Sequence, residues 1–210
     1  MARDFRHWTP RYVLARSREV IDHRARPADP WLTREAIGLL DRLLRPADVA
    51  VEFGSGRSTT WFAKRVGRLT SVEDNAEWFR IVTEKLKAAG QANVDYLHRP
   101  RDVPDTDGAK AAYVRVLDGM ADESLDFVLV DGIYRNHCAV RAVAKVKRGG
   151  MIAVDNVNWF LPSATHSPAS RGPDDPPVDE VWGTFAQLTK DWRRIWTSSG
   201  VTDTLILFKS

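Results

Sequence analysis

Apolar and polar positions change their period repeatedly along the chain, and each change marks a predicted element. Residues 11–24 set Tyr12, Val13 and Ile21 among arginines, the pattern of an amphipathic helix. Arg26-Pro27-Ala28-Asp29-Pro30 reads as a linker. From Trp31 to Leu44, Ile37, Leu40, Leu43 and Leu44 recur at helical spacing until Pro46 stops them. Val49–Phe53 is then a strand, about Ser58 to Val66 a helix, and Leu69–Glu73 a second strand. Ala76 to Ala89 forms a long helix closed by Gly90, and Val94–Leu97 alternates as a third strand.

Arg99 to Lys110 reads as a loop and Ala111 to Met120 as a short helix. Leu125–Val130 reads as a strand, continuously apolar from Phe127 on, as suits a central strand covered on both faces. Cys138 to Val146 is the next helix, and Gly149-Gly150 turns it into a strand at Met151–Val154. Residues 160–178 hold five prolines and read as a long surface loop. Val181 to Lys190 is a last helix, and Trp192–Trp196 with Thr204–Phe208 forms a hairpin through Ser198-Ser199-Gly200. Five strand-then-helix units predict an α/β fold, a parallel sheet with helices on both faces and an antiparallel edge. Residues 31–210 are expected to be one domain, with residues 1–30 a helical extension and candidate lid.

Composition narrows the class without naming it. A chain of 210 residues with 43% hydrophobic and 28% charged residues fits a single soluble domain. A net charge of +3 is too small to argue for nucleic acid, although residues 1–30 hold seven arginines against four acids. Those acids (Asp4, Glu19, Asp22 and Asp29) are unlike a mitochondrial transit peptide, and no apolar run suits a signal core or membrane span. Cys138 is the one cysteine, so neither an internal disulfide nor a cysteine zinc site is expected. A cytoplasmic protein is the expectation.

Candidate chemistry starts at Glu52-Phe53-Gly54-Ser55-Gly56-Arg57-Ser58, where a strand breaks at two glycines and resumes as a helix. Such a turn lets backbone approach a ligand. Thr59 stands where a third glycine would complete a dinucleotide fingerprint, which counts against NAD(P). Glu73 ends the second strand seventeen positions past Gly56, placed to accept two hydrogen bonds from a ribose diol. Asp131 follows an apolar strand, and Asp155-Asn156 ends the next in the same way.

With Val72-Glu73 and Val130-Asp131-Gly132, these segments resemble the class I S-adenosylmethionine (SAM)-dependent methyltransferases, over roughly residues 31–209. The resemblance implies a Rossmann-like, doubly wound, mainly parallel seven-stranded sheet ending in an antiparallel hairpin, and S-adenosyl-L-methionine as cofactor. It sets the Gly54 and Gly56 turn against the methionine part, with Ser55, Arg57 and Ser58 as donors to its carboxylate. Glu52 would orient the loop or receive the amino group, and Glu73 would take the ribose. Asp74, Trp78 and His98 would edge the adenine, and Asp131 and Gly132 would face the reacting centre. Asp131, Asp155 and Asn156 also match the metal ligands of one subgroup, the divalent-metal-dependent O-methyltransferases acting on catechols and caffeoyl-CoA. That match implies Mg²⁺, which would lower the pKa of the attacking hydroxyl. Two departures leave the metal open. The Phe-Gly-Ser-Gly-Arg-Ser turn is unlike that subgroup's, and Asp131-Gly-Ile-Tyr134-Arg135-Asn-His137-Cys138 also resembles bacterial methyltransferases with no demonstrated metal need.

His137, about one and a half turns past Asp131, and His166 in the proline-rich loop are the candidate bases. Tyr134 and Arg135 suit either an acidic or aromatic substrate or a solvated helix start. Trp159 is placed to wall the acceptor site, whereas Trp31, Trp61 and Trp182 fit helix core faces. The reading is methyl transfer to a hydroxyl oxygen of a small molecule, with or without Mg²⁺, and with no nucleic-acid or membrane partner. The helix at 11–24 suits a lid and a homo-oligomer contact equally. Rival readings are an NAD(P)-dependent oxidoreductase, a non-catalytic SAM-binding module and a nucleic-acid methyltransferase. The last lacks the aromatic-proline motif after the fourth strand.

Overall fold

In the computed structural model, which describes residues 9–210, the hydrophobic periods resolve into seven strands and six α-helices. Helix α1 (Pro10–Ala25) starts at an N-cap, with the Thr9 hydroxyl accepting from the Tyr12 N–H and Pro10 opening the first turn. It buries no residue, and Val13, Leu14 and Ile21 stay exposed, so it lies on the domain rather than in it. Asp22 ties it to Arg34 at 2.9 Å. Helix α2 (Arg34–Leu43) is capped by Thr33 and buries Ala36 and Leu40. The first eight positions of the expected N-terminal extension lie outside the described residues.

Strand β1 (Val49–Phe53), helix α3 (Arg57–Ala63), strand β2 (Arg68–Glu73), helix α4 (Ala76–Ala88) and strand β3 (Val94–His98) follow. Then come β4 (Leu125–Val130), α5 (Arg135–Lys145), β5 (Val146–Asp155), α6 (Glu180–Leu188), β6 (Arg193–Ser198) and β7 (Asp203–Phe208). The sheet order is β3-β2-β1-β4-β5-β7-β6, with the first five strands parallel and β7 antiparallel to both its neighbours. Along β4, Val128 and Val130 enter the core on one face while Phe127 and Leu129 enter that on the other. Two buried faces explain why Phe127–Val130 shows no polar alternation. No helix among the described residues is long and apolar enough to cross a membrane.

Several boundaries depart from the sequence expectation. Residues 99–120 carry two 3₁₀ segments: Asp105–Lys110 falls inside the expected loop, and Val114–Gly119 is the expected short helix, shorter and 3₁₀ in type. Helix α5 begins at Arg135, not Cys138. Strand β5 begins at Val146, and its pairing with β4 skips from Val146 to Met151. Gly149 takes φ +78° in that irregularity, so the glycine pair sits inside the strand. The order reverses between β1 and β4, and ligands of open α/β sheets bind at that point, beyond the strands' carboxyl ends.

Candidate functional site

At the reversal the turns after β1 and β4 touch. Gly54 holds φ +92°, and a side chain there would meet the Gly132 backbone nitrogen at 2.7 Å. A side chain at Gly132 would in turn meet the Tyr113 hydroxyl at 2.0 Å and the Gly54 nitrogen at 2.8 Å. These glycines are therefore required by packing between the turns, whatever ligand approaches them. The Gly56 N–H donates to Thr59 Oγ1 (2.9 Å), and that hydroxyl donates to Glu52 Oε2 (2.7 Å). Ser71 donates to the same oxygen at 2.6 Å. Thr59, in the place of a third glycine, is thus the tie between turn and carboxylate. Glu52 is fully buried, and its Oε1 has no hydrogen-bond partner among the described residues. Burial lifts its pKa to about 7 against the pull of the Ser58, Ser71 and Thr59 hydroxyls.

Glu73 is buried and already engaged. Its Oε2 accepts from the Ser55 N–H (3.1 Å) and hydroxyl, and its Oε1 from the Asn75 N–H (2.9 Å). A carboxylate has about four lone-pair sites, so a further donor can still be accepted. Ser55 also meets the Tyr96 hydroxyl at 2.6 Å, and Trp78 Nε1 donates to the Ser55 carbonyl at 2.8 Å. Trp78 is partly exposed and, with Glu73 and Asn75, lines a cleft of about 470 Å³. His98 approaches the Asp74 carbonyl at 3.2 Å and tilts against Phe79. Burial, then the neighbouring Glu73 charge, raises the Asp74 carboxyl.

Arg57, Asp131, Asp155 and Asn156 meet in a second space, a cavity of about 750 Å³. One wall is α1, through Arg16, Glu19, His23 and Arg24, and another is Trp31 and Trp159. Arg57 lies over the Trp31 ring at 5.5 Å, and its Nη1 is buried with no hydrogen-bond partner among the described residues. Asp155 accepts from the Thr204 hydroxyl at 2.9 Å. Burial raises both aspartates. The Asp131 charge lifts Asp155 further, while Arg135 pulls both back.

Arg135 is the hub. Its Nε donates to the Gly132 carbonyl (2.9 Å), and Nη1 donates to the Asp155 carbonyl and Asn156 Oδ1 (both 2.8 Å). Its Nη2 reaches the Asp131 carbonyl at 2.8 Å and Asp131 Oδ1 at 3.0 Å. The oxygens that the resemblance assigns to Mg²⁺ on Asp131 and Asn156 are thus held by a guanidinium, and they do not fit a metal while it is there. No group of three or more His, Cys, Asp or Glu side chains able to hold a metal occurs among the described residues.

Two candidate bases are placed elsewhere. The His137 ring packs where a Gly108 side chain would be, 2.4 Å from its Cδ2, against the Asp105–Lys110 segment and outside the cavity. His166 lines a separate recess with Arg11 and Arg18 of α1. Trp61 and Trp182 are core residues, but Trp31 precedes the Thr33 cap and is 65% exposed. Sequence reading missed Trp31 as a cavity wall and gave no hub role to Arg135. Tyr96 and Tyr113 likewise escaped notice, because their hydroxyls meet turns distant in sequence.

No family model matches the chain, and no curated protein does. Solved structures do match. A Streptococcus mutans protein described as a methyltransferase, in complex with SAH, superposes at TM-score 0.58 with 8% identity, over 87% of this chain and 99% of that one. A Staphylococcus aureus protein described as a caffeoyl-CoA O-methyltransferase gives 0.57 and 12%, over 97% and 95%. A Clostridium thermocellum protein described as an rRNA-methylase gives 0.55 and 12%, over 83% and 93%. With strand order and the C-terminal hairpin in agreement, the fold is that of the class I methyltransferases.

Proposed function

We propose that the chain is a SAM-dependent methyltransferase acting on a hydroxyl oxygen of a small molecule. The observation that carries this reading is a pair of buried, unpartnered atoms of complementary kind on either side of the glycine turn, Glu52 Oε1 and Arg57 Nη1. An unmet buried polar atom is costly, and the ammonium and carboxylate of a methionine moiety would satisfy both. Ser55 and Glu73, tied together, offer a ribose the remaining lone pair of a fixed carboxylate. The cofactor, when bound, supplies an electrophilic methyl group on a sulfonium.

The cavity's own groups then do the rest. Trp31 and Trp159, 65% and 43% exposed, offer faces to a planar acceptor. Arg16 is paired with Glu19, whereas Arg24 and Arg57 face the cavity without an acid partner among the described residues, which favours an acceptor bearing negative charge. The Asp131–Asp155 pair beside Arg135 is the cavity's proton-accepting group, a role His137 is too distant to fill. Alignment under α1 supplies much of the rate. The rRNA-methylase likeness is the ground for a rival reading, but a large nucleic acid would have to displace α1 to reach Asp155.

Calorimetric titration with S-adenosylhomocysteine is the test. Micromolar binding by the native chain is expected, abolished by Gly56→Trp, which fills the space beneath Trp78. Arg57→Ala should weaken it by about 10- to 100-fold, the worth of a charged hydrogen bond. No binding of this ligand, with NAD(P) binding instead, would overturn the assignment.

A further inference from the structure

Arg135 opens α5, where the helix dipole disfavours a cation. Something must offset that, and five nitrogen-to-oxygen contacts do, for a group with five N–H donors. The oxygens come from the ends of β4 and β5, the two strands whose acids suggest a cation site. Asn156 is held on both sides, its Oδ1 by Arg135 and its Nδ2 by Thr202 Oγ1 at 2.5 Å. Both βα turns braced here carry a non-glycine residue in left-handed backbone, Tyr134 at φ +48° and Asn156 at φ +53°. Such conformations persist where surroundings over-determine them; at Asn156 Arg135 is part of that surrounding.

We infer that the Arg135 guanidinium stands in the place of a divalent cation, so that this chain arranges its acceptor site without one. Arg135 is a positioning residue: it fixes Asp131 and Asn156 from α5. A divalent ion could take Asp131 Oδ1 and Asn156 Oδ1 only by expelling a like charge that already binds both. A fixed single charge also differs chemically from a metal, because it has no open coordination positions for two vicinal hydroxyls. The acceptor is therefore recognised by the cavity walls rather than by chelation.

Mn²⁺ alone, titrated into the full chain and followed by electron paramagnetic resonance, tests this. The measurement needs neither cofactor nor acceptor, so it stands or falls apart from the methyl-transfer reading. The native chain is expected to show no site tighter than about millimolar. Arg135→Met, which keeps bulk and removes charge, should create one site at least about tenfold tighter, lost again when Asp155→Asn is added. A stoichiometric site in the native chain that Asp155→Asn removes would overturn the inference. So would an Arg135→Met chain with native circular dichroism that takes up no Mn²⁺. Should that variant fail to fold, the native titration still decides.

Discussion

The two halves of the site solve the same problem in opposite ways. Between β1 and β2 a buried carboxylate, Glu52, is held by hydroxyls and left with one oxygen unmet. Between β4 and β5 the Asp131 carboxylate, the Asn156 amide oxygen and three backbone carbonyls surround a guanidinium whose donors are all used. The first half is incomplete without a ligand and the second is complete without one. An unmet atom marks where binding energy can be gained, and a met one marks where geometry is fixed beforehand. Binding and positioning are thereby separated within one sheet edge.

Removing the second half's cation is the largest perturbation. Arg135→Ala leaves Asp131 without its counter-charge, and breaking a buried pair costs about 3–5 kcal/mol. The two side chains are 18% and 26% exposed, so the lower end is expected. Urea denaturation reads it, and a loss under about 1 kcal/mol would make Arg135 an ordinary surface ion pair.

The first half is sharpened by pH. Glu52 titrates near 4.5 when unfolded and at about 7 when folded. Between those values the folded chain holds a proton that the unfolded chain has lost, so stability falls as pH rises through the window and levels off above it. The shift corresponds to about 3 kcal/mol. Glu52→Gln cannot titrate, so its stability relative to the native chain should improve by about that amount from pH 4.5 to 7.5. A flat difference across that range would show that Glu52 is not buried as a titrating acid. The orphan oxygen also predicts that S-adenosylhomocysteine binding expels a proton near pH 7, measurable as a buffer-dependent heat.

The contact between the halves comes next. Gly132→Ala drives a methyl group into the Tyr113 hydroxyl and the Gly54 backbone, and overpacking of this kind costs about 1–3 kcal/mol. Tyr113→Phe should restore part of it, because the hydroxyl leaves while the Gly54 contact stays. Full restoration would mean the turns are free to separate.

Much of this was readable from the sequence, and the failures share a cause. Strands, hairpin and the Gly54-Gly56 turn follow from local period and turn chemistry, which need no tertiary knowledge. Thr59 read as a missing glycine, since its partner Glu52 lies across the turn. Arg135 read as either a substrate contact or a solvated helix start because its oxygens sit at positions 131, 132, 155 and 156, on two turns that only sheet order brings together. Trp31 was assigned a core face by extending the helical period past Thr33, whose cap starts the helix later. His137 lay close to Asp131 along the chain, but α5 turns it toward Gly108.

The smallest expected effect tests whether the first half is open in the free protein. Trp78 Nε1 donates to the Ser55 carbonyl, and the ring, 38% exposed, lies over Gly56. Trp78→Phe removes the donor and keeps an aromatic face, at about 0.5–1.5 kcal/mol for one hydrogen bond. Exposure lets water replace the lost partner, so the lower end is expected in denaturation. If Trp78 merely braces the turn, S-adenosylhomocysteine affinity should follow that stability loss and fall only about twofold to threefold. If the ring instead packs on the ligand, affinity should fall by more than tenfold while stability barely moves. The two effects separate because a brace acts on the free protein and a ligand contact acts on the complex.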